Sequence, residues 1–416
     1  VENAARIHRL EIQGFGRQPH LVTPAEPLNP GNAGAVFRML LAVSALLPRV
    51  TWQTDHHESL GKRPNIDLIE ALRQLGVVAE HRGADGFLPI TLTGGRERIK
   101  AHIALRRREL NVANDEPFTI TVSGEVSSQF TSALLFLAPL LDEDIRIVVT
   151  GKLKSLPLIE TTRYVLETAG VTVQSTAARD VHFVNRGQVF RAVEWQTNGD
   201  WPGSAAILGA VAAVPGSAVT VRRLFQDEQG EKECVPFYRR MGCTITDHEG
   251  DAASGPSLRI ESPMQLRGAS VDGDTCTDAV LAMMGAAMVA KGESRFDQVR
   301  NLQFKECDRI REPIDELRKV RETMLSDDEK AGAVEAALYY EPHADPDTIH
   351  VTGAPEGYRG GIDVDGRGDH RVIMLLSILA LRCRMGLCIH GAEHVSKSFP
   401  GWFDTLRKMG VRVEES

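Results

Sequence analysis

Five times along the chain, a turn rich in Gly, Asp, Asn or Ser runs straight into an apolar, Ala/Leu-rich stretch of helical length. The turns begin at Gly31, Glu125, Gly199, Gly273 and Gly366, in steps of 94, 74, 74 and 93 residues, which makes a unit of about 75 residues with two insertions. The stretches that follow, such as Phe130-Thr131-Ser132-Ala133-Leu134-Leu135 and Val372-Ile373-Met374-Leu375-Leu376, have almost no polar face and must be buried nearly all round. Between them recurs a more amphipathic helix closed by glycine and followed by a β-branched run. Pro64 to Leu75 closes at Gly76 before Val77-Val78, and Pro157 to Ala169 closes at Gly170 before Val171-Thr172-Val173; the same grammar returns at Gly242 and Gly410. Each unit therefore reads as strands plus two helices, an α/β arrangement with sheets packed on the apolar helices. One such turn is ordinary N-cap chemistry. Five in register bring helix N-termini, with unpaired N–H groups and positive dipole ends, toward a cleft that suits an anion.

Composition limits what that anion can be. Among 416 residues, 48 Lys+Arg face 56 Asp+Glu, a net charge of −8, which argues against a nucleic-acid polymer held on a broadly basic surface. The six cysteines show no CxxC spacing and point to reduced thiols in a cytoplasmic protein. The longest apolar stretches, such as Ala279 to Ala290, fall short of the roughly 18 residues that span a bilayer, and the first residues do not read as a signal peptide. His56-His57 and the other histidines lack a companion Cys or carboxylate at ligand spacing, so neither a metal nor a cofactor is expected.

Seven motifs, in order, resemble those of the enolpyruvyl transferase family. They are Gly31-Asn32-Ala33-Gly34 with Arg38, Gly61-Lys62-Arg63-Pro64, Ser127-Ser128-Gln129-Phe130, Asp278-Ala279, Lys305-Glu306-Cys307-Asp308-Arg309, Asp369-His370-Arg371 and Lys397-Ser398-Phe399-Pro400. The resemblance implies two similar domains of repeated βαβαββ units around buried helices, an inside-out α/β barrel arrangement, here 1–198 and 199–416, hinged near Glu194 to Trp201 and closing on small-molecule substrates. It also implies six units where five are visible, which leads us to expect roughly 60 to 70 residues ahead of Val1.

Enolpyruvyl transfer protonates the methylene carbon of phosphoenolpyruvate, adds an acceptor hydroxyl to the neighbouring carbon and expels phosphate, which calls for several cations and an acid/base pair. By resemblance, Asp278 takes the acceptor's proton, Glu306 handles the proton at the methylene carbon and His370 is a relay near the phosphate. Gly34, Arg63, Gln129, Arg309, Arg371 and Lys397 bind phosphoenolpyruvate; Ser127, Ser128, Gln129, Ser155, Asn301 and Lys305 bind a phosphorylated hydroxyl acceptor. Lys305 and Arg309, at i,i+4 spacing, are expected on one side of a helix start with Glu306 alongside. Departures gather on the acceptor side. Ser155-Leu156-Pro157-Leu158 replaces the Ser-Lys-Pro-Tyr type of segment usual in shikimate-pathway members, and an acidic stretch from Arg321 to Arg359 widens the spacing of the last motifs. The preferred acceptor is therefore the 3′-hydroxyl of uridine monophosphate, as in nucleoside-antibiotic biosynthesis. The alternative is 3-phosphoshikimate 1-carboxyvinyl transfer, and the second alternative a non-catalytic phosphoenolpyruvate or nucleotide binder.

Overall fold

The repeat grammar becomes explicit in the strand order. A computed structural model describes residues 11–13, 23–113, 115–250, 255–327, 330–337 and 347–415. Two repeats are complete βαβαββ units. In the first, strand Phe118–Ser123 leads through helix Ser128–Leu137 to the parallel strand Ile145–Thr150, then through helix Leu156–Thr168 to Gln174–Ser175 and Val181–Val184. In the second, Ser270–Asp272, helix Val280–Ala287, Glu293–Asp297, helix Arg311–Arg321, Val334–Ala337 and Thr348–Thr352 follow the same path, with one parallel and two antiparallel pairings in the same spatial order. Helices Gly34–Ser44 and Trp201–Ala213 each open a unit whose three described strands form an antiparallel sheet, again in matching order. The last unit pairs Ile362–Asp365 with Leu387–His390 in parallel across helix His370–Ala380.

The chain divides into two units, Val1–Trp195 and Gln196–Ser416, against an expected division at 198/199. In the second, the three apolar helices Trp201–Ala213, Val280–Ala287 and His370–Ala380 pack on one another. Their composition dictates it: every residue of Trp201–Ala213 except Pro202 is buried, as is all of Val280–Ala287. Small residues set the spacing, since a Cβ on Gly209 would lie 2.7 Å from the Tyr238 hydroxyl and 2.9 Å from the Ala282 carbonyl. In the first unit, Gly34–Ser44 packs on Ser128–Leu137, which packs on Leu156–Thr168 through a 2.8 Å Ser132–Thr162 hydroxyl bond.

The first insertion, between the Gly31 and Glu125 turns, contains the 15-residue helix Arg96–Leu110, which buries Ile99 and Ile103 in the first unit's core and leaves Arg98, Arg106 and Arg108 exposed. The second contains the Arg321 to Arg359 stretch, of which 328–329 and 338–346 lie outside the described residues. Among the described residues, no helix is long and apolar enough to cross a membrane.

Candidate active site

In the second unit, Asp278 and Asp369, at the starts of two of the three packed helices, gather around one guanidinium, that of Arg309. Asp200 caps Trp201–Ala213 by accepting the Gly203 N–H at 3.0 Å, and Asp369 caps His370–Ala380 by accepting the Arg371 N–H at 2.8 Å. Asp278 stands ahead of Val280–Ala287 and makes no side-chain cap there. Its carboxylate instead accepts from Arg309 Nη1 at 2.8 Å and lies 3.7 Å from Lys305 Nζ. Arg309 is 1% exposed and all three of its nitrogens are committed. Nε donates to Asp369 Oδ2 at 2.7 Å, and Nη2 to Glu306 Oε2 at 2.7 Å and Asp369 Oδ1 at 3.2 Å. The other oxygen of Glu306 accepts from Lys397 Nζ at 2.5 Å. Asp278, Glu306 with Arg309, and Lys397 are thus brought together from three separate segments.

Arg309, expected by resemblance among the phosphoenolpyruvate-binding cations, is buried under three carboxylates. One correction concerns the segment that carries it. Residues 305–310 are a turn rather than a helix start, because Asp308 Oδ1 accepts the N–H groups of Ile310 and Arg311 and delays the helix to Arg311–Arg321. Glu306 and Arg309 still meet, through the turn rather than along a helix face.

Electrostatics give each member a distinct state. Burial disfavours the Asp278 charge, but Lys305, Arg309 and Arg371 outweigh it, against Glu306, and hold the carboxyl well below the usual range. Asp369 is likewise disfavoured by burial yet pulled down by Arg309. Burial, reinforced by Arg371, pushes the His370 imidazole down to about 4, so it is neutral near pH 7; Nδ1 lies 3.5 Å from Asp369 Oδ1. Arg371 is 7% exposed, and among the described residues no carboxylate lies within ion-pair distance of it. Its Nη1 rests 4.0 Å from Met374 Sδ and its Nε makes no hydrogen bond. A buried cation in that condition favours an incoming anion. Asn301, 6% exposed, donates to Asp274 Oδ1 at 3.1 Å and Thr277 Oγ1 at 3.2 Å.

The first unit has its own hub. Arg38 is 3% exposed and donates to Asn65 Oδ1 at 3.0 Å, the Pro64 carbonyl at 2.8 Å, Ser127 Oγ at 3.2 Å and Gln129 Oε1 at 3.0 Å, with the Phe130 ring 4.8 Å away. Ser127 also caps its helix, accepting from Gln129 N at 3.3 Å, and Ser128 is its buried first residue. Gly34 opens its helix against Arg63, where a Cβ would fall 2.5 Å from Arg63 Nη1. That guanidinium, 9% exposed, therefore sits on the positive end of a helix. Ser155 is buried at the start of Leu156–Thr168 with φ 51°, beside Lys154 at 4% exposure.

Three features escaped the sequence reading. Lys154 is a buried cation next to the segment judged to have lost one. Glu231, 5% exposed in the turn Gly230–Glu233, is pushed up to about 7 by burial and by Asp278, against Arg371, and no local motif marks it. The expectation that no histidine has companion ligands is also overturned: Asp363, Cys388 and His390 present ligand atoms within 4.8 Å of one another.

A family model described as EPSP synthase (3-phosphoshikimate 1-carboxyvinyltransferase) matches residues 5–406. The 3-phosphoshikimate 1-carboxyvinyltransferase of Deinococcus radiodurans is 39% identical over 405 residues, covering 97% of this chain and 81% of that protein. That of Burkholderia pseudomallei is 31% identical over 386 residues, covering 93% and 76%. Among solved structures, an EPSP synthase from Acinetobacter baumannii has a TM-score of 0.67 at 21% identity over 94% of this chain and 80% of its own. The enolpyruvyl transferase NikO from Streptomyces tendae has a TM-score of 0.61 at 16% identity over 91% and 76%. These two likenesses are of fold.

Proposed function

The chain belongs to the EPSP synthase (3-phosphoshikimate 1-carboxyvinyltransferase) family of carboxyvinyl transferases, and from that premise we propose that its acceptor is shikimate 3-phosphate and its donor phosphoenolpyruvate. The acceptor choice rests on the name shared by the relatives at 39% and 31% identity. The uridine monophosphate reading moves to second place, because the Leu156 and Leu158 changes that favoured it occur in a chain otherwise aligned with those relatives over 97% and 93% of its length. A non-catalytic binder is set aside on the same ground.

The observation that carries the chemistry is Arg371, a buried cation with no carboxylate in ion-pair reach among the described residues, whose field acts on an ionised Asp278. Arg371, Lys397 and Arg63 hold the carboxylate and phosphate of phosphoenolpyruvate, since guanidinium groups donate paired bonds to both. Lys305, Asn301, Ser127, Ser128, Gln129 and Ser155 hold the acceptor. Asp278 removes the acceptor's hydroxyl proton as oxygen bonds to the carbon bearing phosphate. Glu306, freed from Lys397 as a substrate anion takes that cation and protonated from solvent while Arg309 keeps it in place, delivers that proton to the methylene carbon and recovers one as phosphate departs; the proton on Asp278 leaves with the phosphate. Arg309 is a positioning residue that fixes Asp278 and Glu306 from below.

This arrangement makes the base sensitive to its substrate. With its cations unquenched, Asp278 is too acidic to be an effective base. Substrate anions on Arg371 and Lys305 would cancel much of their field and raise its proton affinity where needed. His370, neutral near pH 7, accepts a hydrogen bond or proton and does not donate as an imidazolium.

Phosphate release from phosphoenolpyruvate, measured in parallel with shikimate 3-phosphate and uridine monophosphate, tests the reading. Turnover with shikimate 3-phosphate alone is expected. Turnover with the nucleotide alone would restore the second reading.

A further inference from the structure

Away from the charged cluster, the exposed face of a strand pair in the second unit carries three side chains that the reaction does not use. Ile362–Asp365 and Leu387–His390 pair in parallel with Asp363 opposite Cys388 and Asp365 opposite His390. Residues two apart on a strand share a face, so Cys388 and His390 project together on the side of Asp363. His390 Nε2 lies 2.9 Å from Asp363 Oδ1. One ligand atom from each of the three lies within 4.8 Å of the other two, and all three residues are exposed. Of the six cysteines, only Cys388 is exposed.

We propose that Asp363, Cys388 and His390 form a zinc site, with three protein ligands and a water in the fourth position. The donor set selects the metal. A thiolate and an imidazole beside one carboxylate suit Zn²⁺, whereas Mg²⁺ and Ca²⁺ take oxygen ligands. The geometry is within reach: tetrahedral bonds of about 2.0–2.3 Å put ligand atoms roughly 3.3–3.8 Å apart, and exposed side chains close the difference by rotating. An ionised Asp363 and a Cys388 thiolate balance the double charge of the ion.

The place of the site gives it a consequence. Ile362–Asp365 runs within four residues into Asp369-His370-Arg371, and Leu387–His390 runs through Gly391 into the turn Ala392–Lys397 that carries Lys397. A metal bridging the strands clips the roots of both segments and stabilises the folded chain by mass action, taking no part in the chemistry. Linear spacing hides the site because the third ligand lies 27 residues before His390 and arrives only through parallel pairing.

The test is a titration of the reduced full chain with Co²⁺, followed by displacement with Zn²⁺. One Co²⁺ per chain is expected, with a near-ultraviolet thiolate charge-transfer band and tetrahedral visible bands, and Zn²⁺ should raise the thermal midpoint. Cys388→Ser should abolish the band, and Asp363→Asn and His390→Ala should weaken binding about 10- to 100-fold, while phosphate release by these metal-free variants stays at the wild-type rate. Absence of the band in the wild type would overturn the proposal. So would a band that survives Cys388→Ser, or variants at Asp363 and His390 that bind as tightly as wild type.

Discussion

Both units build their candidate residues on a buried arginine at the starts of apolar helices, and the described partners of the two arginines differ in charge. The Arg38 partners described above are neutral oxygens of Asn65, Pro64, Ser127 and Gln129, whereas Arg309 is bonded to the carboxylates of Asp278, Glu306 and Asp369. Neutral acceptors fix hydroxyl and amide groups in place across a wide pH range, which suits recognition of an acceptor. Carboxylates around a cation store acid/base capacity whose strength changes when a competing anion arrives. Under the proposed function, the same architectural device serves positioning in one unit and proton transfer in the other.

The largest expected difference between the hubs is in stability. Arg309→Met strands buried carboxylates and should cost the second unit about 3–5 kcal/mol. Arg38→Met leaves neutral acceptors unpaired and should cost the first about 1–3 kcal/mol. Hydrogen exchange in helices His370–Ala380 and Gly34–Ser44 reads each unit by itself; equal losses would break the comparison.

Acid sharpens it next. Burial and Arg163 push the His182 imidazole in the first unit down to about 4 from 6.5, against Glu160. The unfolded chain therefore takes up a proton that the folded chain refuses, and stability falls as pH drops from 6.5 toward 4, by about 2 kcal/mol at pH 5. His182→Gln should flatten that slope in urea titrations at pH 7 and 5. In the second unit His370 acts in the same direction, but Glu231, raised to about 7 from 4.5, gains stability as pH falls through the same window and offsets it. Helix His370–Ala380 should accordingly keep its exchange protection better than Gly34–Ser44 at pH 5.

The smallest effect expected is at Gly34→Ala. The added methyl must displace Arg63, raising KM for phosphoenolpyruvate by about tenfold, or 1.4 kcal/mol, with the acceptor's KM nearly unchanged. Steady-state kinetics varying each substrate would check it.

Much of this was legible in the sequence, and what was missed has identifiable causes. Four of the five turns foretold helices buried nearly all round, because an all-apolar helix has only one place to go, whereas helix Gly34–Ser44 leaves Val36 51% and Leu40 46% exposed. The first insertion was visible as a break in spacing, but not as helix Arg96–Leu110, whose charged sequence gives a weak amphipathic signal. The triple commitment of Arg309 depends on depth, which a Lys-Glu-Cys-Asp-Arg run does not encode. The turn at 305–310 could have been foreseen from the capping preference of Asp308. Glu231 and the third member of the Asp363–Cys388–His390 group, Asp363, depend on contacts between distant segments, while the local pair Cys388-Ile389-His390 was visible and passed over.

The central claim is that Asp278, held ionised over Arg309, is the base of carboxyvinyl transfer. Phosphate release by Asp278→Asn with phosphoenolpyruvate and shikimate 3-phosphate tests it most directly. Asp278→Asn should lower kcat by about 10²–10⁴-fold and keep KM for phosphoenolpyruvate within about threefold of wild type. A kcat near wild type in a folded variant would contradict it.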